Sequence, residues 1–270
     1  MLNKPVIIVR GAGELGSAVA LTLNRVGYPV ILTERSEPLA IRRPVTFSDA
    51  VFTGTASVEE ITAVRTIPSE LDEILHAQAI PLIVTDDLPD FHFPVQALID
   101  ARMLKDSGIT RPSQIPWVIG LGPGFEVGRN CDVIIETQRG HDLGRVLWHG
   151  CAATNSGVPG EIGGESRKRV IYSPIAGQVK WGVDFGKMVQ AGQPMGRITA
   201  DHIITAPISG LVRGLISPLV TVKAGVKIGD VDPRGSQVSY QRISEKARNI
   251  ARGVLEALLM LENNSFVERP

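Results

Sequence analysis

Val6-Ile7-Ile8-Val9-Arg10-Gly11-Ala12-Gly13-Glu14-Leu15-Gly16 sets the frame for the rest of the chain. Four consecutive apolar residues, mostly branched at Cβ, predict a short strand buried on both faces. Glycines at 11, 13 and 16 follow, and Leu15, Val19, Leu23 and Val26 recur at helical spacing until Gly27. Strand, glycine turn and helix in that order make the dinucleotide-type fingerprint in its required context. The first glycine shapes the turn, the second lets a pyrophosphate approach the backbone, and the third lets helix and strand pack closely. Helix amides would then face the phosphate. Glu34 follows a second strand, Val30-Ile31-Leu32, and lies 18 residues after Gly16. A carboxylate there accepts from a ribose 2′-hydroxyl and repels a 2′-phosphate, which favours NAD over NADP. The alternative is the same turn with its site empty or adapted to another ligand, since a fold does not fix a function. Arg10 and the pair Arg42-Arg43 would add positive potential for an anion.

Working outward, further strands are expected over residues 81–85, 97–100, 117–119 and 133–135, with a helix over 69–78. Strand and helix in alternation predict a Rossmann-like α/β domain over residues 1–165, its parallel sheet covered on both faces by helices. Residues 120–164 hold 11 of the 28 glycines, including Gly-Pro-Gly at 122–124. Tight turns in a hinge and close approach of main chain to a ligand explain such a stretch equally well. If the protein has a cleft, it is expected where this stretch joins the two halves.

A repeat with an offset of 33 residues follows. Ile171-Tyr-Ser-Pro-Ile-Ala-Gly-Gln-Val179 aligns with Ile204-Thr-Ala-Pro-Ile-Ser-Gly-Leu-Val212, and 9 of 29 positions are identical. Short units rich in Gly, Val and Ile predict two similar β units facing each other. They resemble the two halves of a biotinyl/lipoyl carrier barrel, which places a small β barrel at residues 166–235. A carrier needs a lysine between the halves, and no Lys occurs between Lys187 and Lys223, so a swinging arm is excluded. The remaining segment, 236–270, is expected to carry an amphipathic C-terminal helix. Ile243, Ala247, Ile250, Val254 and Leu258 share its buried face, Ser244 is its N-cap, and Asn263-Asn264 would end it.

Composition narrows the function classes. The 270 residues are 43% hydrophobic and 21% charged, as in a globular protein. The 28 basic and 28 acidic residues cancel, and the 13 aromatics are few, which together argue against nucleic-acid binding. The neutrality is uneven: residues 1–164 carry a net −6, residues 165–252 a net +8, and residues 253–270 a net −2. Two cysteines make no disulfide framework, residues 1–5 (Met-Leu-Asn-Lys-Pro) lead into no signal-peptide core, and no apolar run reaches membrane-spanning length. A cytoplasmic location without membrane contact is expected.

Arg139-Gly-His-Asp-Leu-Gly-Arg145 follows the expected strand at 133–135, at the end of the sheet where ligands bind. Two guanidinium groups and an imidazole could grip phosphates or a polar heterocycle, with His141 as acid or base. A salt-bridged structural turn using Glu136 and Asp142 is the alternative. Cys131, His141, His149 and Cys151 match no standard zinc spacing, so no metal site is assigned.

These motifs resemble the YqeB family. The resemblance rests on Val9-Arg-Gly-Ala-Gly13, Pro38-Leu-Ala-Ile-Arg-Arg43, Phe47-Ser-Asp-Ala50, Ile99-Asp-Ala-Arg-Met103 and Gly120-Leu-Gly-Pro-Gly-Phe125. It extends through Ile135-Glu-Thr137, Arg139-Gly-His141, Leu143-Gly-Arg-Val146, Lys227-Ile-Gly-Asp-Val-Asp-Pro-Arg-Gly235 and Ser244-Glu-Lys-Ala247. Cys131 and His149 fall outside the family pattern. The resemblance implies an accessory protein of selenium-dependent molybdenum hydroxylases, relatives of xanthine dehydrogenase. The expected function is therefore a non-redox maturation factor that binds a nucleotide or a nucleotide-bearing molybdenum cofactor. Its partner would be the hydroxylase or its cofactor-loading machinery, and a homo-oligomer is left open. Gly11, Gly13 and Gly16 would hold phosphates and Glu34 a ribose. Arg139, His141 and Arg145 would take the ligand's polar end, with Asp232 and Arg234 completing the site from the barrel. Two rivals remain: an NAD-dependent oxidoreductase using His141, and a nucleotide-free binding scaffold.

Overall fold

The computed structural model describes residues 5–104, 111–155, 157–158 and 160–263. Met1 to Lys4 of the expected leaderless start and Asn264 of the expected helix stop lie outside the described residues. In chain order the first half contains β1 (Val6–Arg10), α1 (Glu14–Arg25), β2 (Val30–Glu34), α2 (Ala50–Thr53), β3 (Thr55–Val58) and β4 (Ile61–Thr66). It continues with α3 (Leu71–His76), β5 (Ile80–Val84), β6 (Val95–Asp100), β7 (Trp117–Leu121), β8 (Val133–Ile135) and β9 (Val146–Leu147). These nine strands form one sheet in the order β3-β4-β5-β2-β1-β6-β7-β8-β9. The seven central strands run parallel, and an antiparallel strand closes each edge, β3 against β4 and β9 against β8.

Alternation along the strands separates two apolar faces. Ile7 and Val9, Val30 and Leu32, Ala97 and Ile99, and Val133 and Ile135 point to one face. Val6 and Ile8, Ile31, Leu98 and Ile134 point to the other. α1 covers the first face together with α4 (Glu245–Glu262), which returns from the far end of the chain. Ser244 caps α4 by accepting the Ala247 amide. α4 approaches the turn before β9 so closely that a Cβ on Gly253 would stand 2.2 Å from the Gly144 carbonyl oxygen. The second face is covered by α3 and by side chains from irregular segments, among them Phe91, Ile115, Phe125 and Cys131.

The expected Rossmann-like domain is therefore corrected. Only four α-helices occur among the described residues, the sheet is mixed, and the connections after β6 and β7 contribute no described helix. Among the described residues, strand and helix alternate across β1-α1-β2 and β4-α3-β5, and the alternation lapses after β5. The reason is that one distant helix and a set of loop side chains bury the surface that crossover helices bury in a doubly wound sheet.

The remaining strands are β10 (Val170–Tyr172), β11 (Lys180–Trp181), β12 (Met188–Val189), β13 (Pro194–Arg197), β14 (Ile203–Thr205), β15 (Gly210–Leu215) and β16 (Lys227–Asp232). They form a four-stranded sheet, β10-β16-β15-β12, and a three-stranded sheet, β11-β13-β14, around one apolar core. The expected biotinyl/lipoyl-like barrel is corrected as well, because two separate antiparallel sheets stand where a barrel was expected. The repeat is nevertheless visible: each sheet draws strands from both of its halves. Ile41 reaches into this second core from the first half of the chain, and its carbonyl accepts the Leu215 amide at 2.8 Å.

Candidate functional site

β1 is flanked by β2 on one side and β6 on the other, so the loops that follow these strands diverge. Divergence at such a switch point leaves a crevice beyond the carboxyl ends of the strands. Here the crevice is a cleft of about 650 Å3 between the large sheet and the second β unit.

The glycine turn forms its floor. Gly11 adopts φ +93°, and a Cβ on Gly16 would meet the Gly11 carbonyl oxygen at 1.8 Å, so α1 starts directly against the turn. Gly13 differs, since a Cβ there would have no atom within 4 Å, leaving its face open to the cleft. Glu34 braces the turn from the next strand. Its carboxylate accepts the Ala12 amide and the Arg35 amide, each at 2.8 Å. Burial pushes the Glu34 carboxyl upward, and the two amides only partly offset this. Ser17 donates to the Ala12 carbonyl and accepts the Phe47 amide, which ties the segment after β2 to the same turn.

Positive charge surrounds this floor. Among the described residues that line the cleft, nine are Arg or Lys and four are Asp or Glu, so anions are attracted. Arg10, Arg35 and Arg42 come from the turn and from the segment after β2, and Arg102 from the end of β6. Arg102 is gripped by the buried Asp100, with its Nε 3.0 Å from Oδ1. Arg139 and Lys246 close the α4 edge, where Arg139 donates to Glu245 at 2.6 Å. Burial, with the nearby Arg139 charge, lowers the Lys246 ammonium below the usual lysine range. Arg169, Arg213 and Lys227 form the opposite wall, on the second β unit. There a ladder of charges runs from Arg169 to Asp230, Arg213, Asp232 and Arg234. Both aspartates in it are buried.

Of the residues expected at a site, Gly11, Gly13, Glu34 and Arg139 line the cleft, and Gly16 lies beneath its floor. His141 and Arg145 are exposed and do not line it, and Arg145 pairs with Asp142 at 3.0 Å. Asp232 and Arg234 belong to the ladder behind the wall rather than to its surface. Arg10 and Arg42 line the cleft, whereas Arg43 turns to Asp49. Among the described residues of the glycine-rich stretch 120–164, only Arg139, Gly160 and Ile162 line the cleft. No motif held Arg169 or Arg213, and Arg102, Lys227 and Lys246 stood only inside longer motifs. The +8 charge of residues 165–252 was the one signal pointing to that wall.

Comparison with known proteins adds kinship. No family model matches the chain. It is 43% identical over 258 residues to the uncharacterized protein YqeB of Escherichia coli K12, which covers 94% of this chain and 47% of that protein. The chain thus spans about half the length of the curated relative it matches. Among solved structures it is similar to an aspartoacylase family protein of Mesorhizobium loti (14% identity, 85% of each chain, TM-score 0.28). It is also similar to the ectoine utilization protein EutE of Ruegeria pomeroyi (12% identity, 84% of this chain and 85% of that one, TM-score 0.25). A third is HlmI (14% identity, 98% of this chain and 96% of that one, TM-score 0.28). Scores this low carry no shared activity. No described helix is long and apolar enough to cross a membrane.

Proposed function

We propose that this chain, which its 43% identity supports as a member of the YqeB family, binds a phosphate-bearing, nucleotide-type ligand in the cleft and serves the maturation of a molybdenum hydroxylase. The observation that supports ligand binding is the open face of Gly13 set among nine basic and four acidic lining residues. Backbone at Gly13 can approach a phosphate closely because no side chain intervenes, and the surrounding guanidinium groups suit phosphate oxygens in pairs. Arg139, held by Glu245 at the α4 edge, would bind the ligand's far end. Glu34 would brace the turn and offer its remaining acceptor capacity to a ribose hydroxyl. The maturation role, and a selenium-dependent hydroxylase as the partner served, rest on the family resemblance alone. His141 lies outside the cleft lining, which favours a binding role over proton transfer.

Thermal-shift screening of the purified chain with CTP, NAD, FAD and molybdenum cofactor tests the binding. Stabilisation by a phosphate-bearing ligand, lost in Gly13→Thr, supports it; no shift with any of them refutes it. The maturation role is tested in the host. Arg139→Ala should lower molybdenum hydroxylase activity while the hydroxylase polypeptide is still made, and normal activity would count against the role.

A further inference from the structure

Where Arg42, from the segment after β2, meets the opposite wall, the cleft carries more positive charge than the neighbouring carboxylates neutralise. Arg42 and Arg169 are 8% and 5% exposed, and both line the cleft. In each the Nε is buried and has no hydrogen-bond partner. A buried guanidinium N–H without a partner is costly, so a built site usually supplies one. Lys227 stands beside them, and among the described residues its ammonium makes no ion pair. Its immediate electrostatic neighbours are Asp230, Arg169, Arg213 and Glu14, and burial is the largest influence lowering its pKa.

Charge balance then defines what is missing. Arg42, Arg169, Arg213 and Lys227 face two carboxylates, Glu14 and Asp230, leaving a surplus of two positive charges. Adding Asp232 with its partner Arg234 leaves that surplus unchanged. Burying unneutralised cations is unfavourable unless a counter-charge arrives. Planar guanidinium donors together with a lysine ammonium match the oxygens of a tetrahedral oxyanion.

We propose that Arg42, Arg169 and Lys227 form a second anion seat, beside the glycine turn but built from other residues, that takes a phosphate-type dianion. The inference deepens the nucleotide-type reading by giving the same cleft two anionic contacts. The dianion is either the terminal phosphate of the nucleotide ligand or a free oxyanion.

The experiment compares wild-type protein with Lys227→Met and Gly13→Thr, using inorganic phosphate and CTP as probes and chloride at equal ionic strength as control. Wild type should be stabilised by phosphate more than by chloride. Lys227→Met, which removes a charge from a crowded cationic cluster, should melt no lower than wild type without ligand and bind phosphate at least tenfold more weakly. Lys227→Arg should retain phosphate binding, and Lys227→Gln replaces the methionine variant should that one misfold. CTP binding lost in both Lys227→Met and Gly13→Thr, with phosphate binding lost only in the former, identifies the terminal phosphate of a nucleotide. Phosphate binding that needs Lys227, without any CTP binding, supports the seat for a free oxyanion while the nucleotide reading fails. No phosphate effect beyond chloride, or full phosphate binding in Lys227→Met, overturns the seat whether or not CTP binds.

Discussion

Gly16 faces the carbonyl oxygen of Gly11 at a separation that leaves no room for a methyl group, since a Cβ there would come within 1.8 Å. Gly13, between them in sequence, has open space around it. Gly16→Ala should therefore destabilise the protein by about 2–3 kcal/mol through overpacking against backbone. Gly13→Ser, which keeps a good N-cap residue at the start of α1, should stay within about 0.5 kcal/mol of wild type. Urea unfolding midpoints separate the two, and equal losses would mean that the turn is not packed as described.

Gly253 sets helix propensity against packing. In an isolated helix, alanine is favoured over glycine by about 1 kcal/mol. In the folded protein its Cβ would press on the Gly144 carbonyl oxygen at 2.2 Å. Gly253→Ala is expected to lower the melting temperature. A rise would show that α4 stands further from the sheet.

The buried charge ladder should respond differently at its middle and at its end. Asp230 holds both Arg169 and Arg213, so Asp230→Asn leaves two buried guanidinium groups short of charge, at a cost of about 3–5 kcal/mol. Arg234→Ala removes the half-exposed terminal member and should cost about 1 kcal/mol or less. Chemical denaturation of the two variants gives the ratio.

Glu34 predicts a dependence on pH. Its carboxyl is pushed up by burial in the folded state, so folding favours its protonated form. Its contribution is fully present below the unfolded value of about 4.3 and is lost as pH rises through the folded value. Glu34→Gln removes that titration, so the stability of wild type relative to the variant should fall as pH rises from about 4 towards neutrality. A relative stability that rises over this range would contradict the placement of Glu34.

The two cysteines should react unequally. Burial, reinforced by the Asp132 charge, pushes the Cys131 thiol up to about 12, whereas Cys151 is exposed. Native protein treated with iodoacetamide near pH 8 should gain one modification, at Cys151, and gain the second only after unfolding. Peptide mass spectrometry reads this directly.

The first strand, glycine turn and α1 were legible because their pattern is local. β8 was as well, its three branched apolar residues falling where the sequence placed a strand. The β3–β4 hairpin was not, because Glu59 rather than a glycine adopts the left-handed conformation at its turn, with φ +53°. The cover of the sheet was hidden for a different reason. α4 shows an apolar face in sequence, but its partner α1 lies more than two hundred residues earlier, and nothing local names it. The cleft was half legible: Gly11, Gly13, Glu34 and Arg139 stand in recognisable motifs. Arg213 and Lys227 are single residues on β15 and β16, Arg169 directly precedes β10, and only strand pairing brings them together.

α4 also governs the order in which this protein can mature as it leaves the ribosome. The apolar face formed by β1, β2, β6 and β8 is complete in the nascent chain by residue 135, yet its cover ends at Glu262. More than a hundred residues must be synthesised in between, at roughly 5–20 residues per second. For those several seconds the sheet keeps oily surface open to water or to a chaperone. The second β unit has all its strands by residue 232 and can settle first. The arginine wall would then be waiting when the glycine turn on the opposite side is finally locked in place.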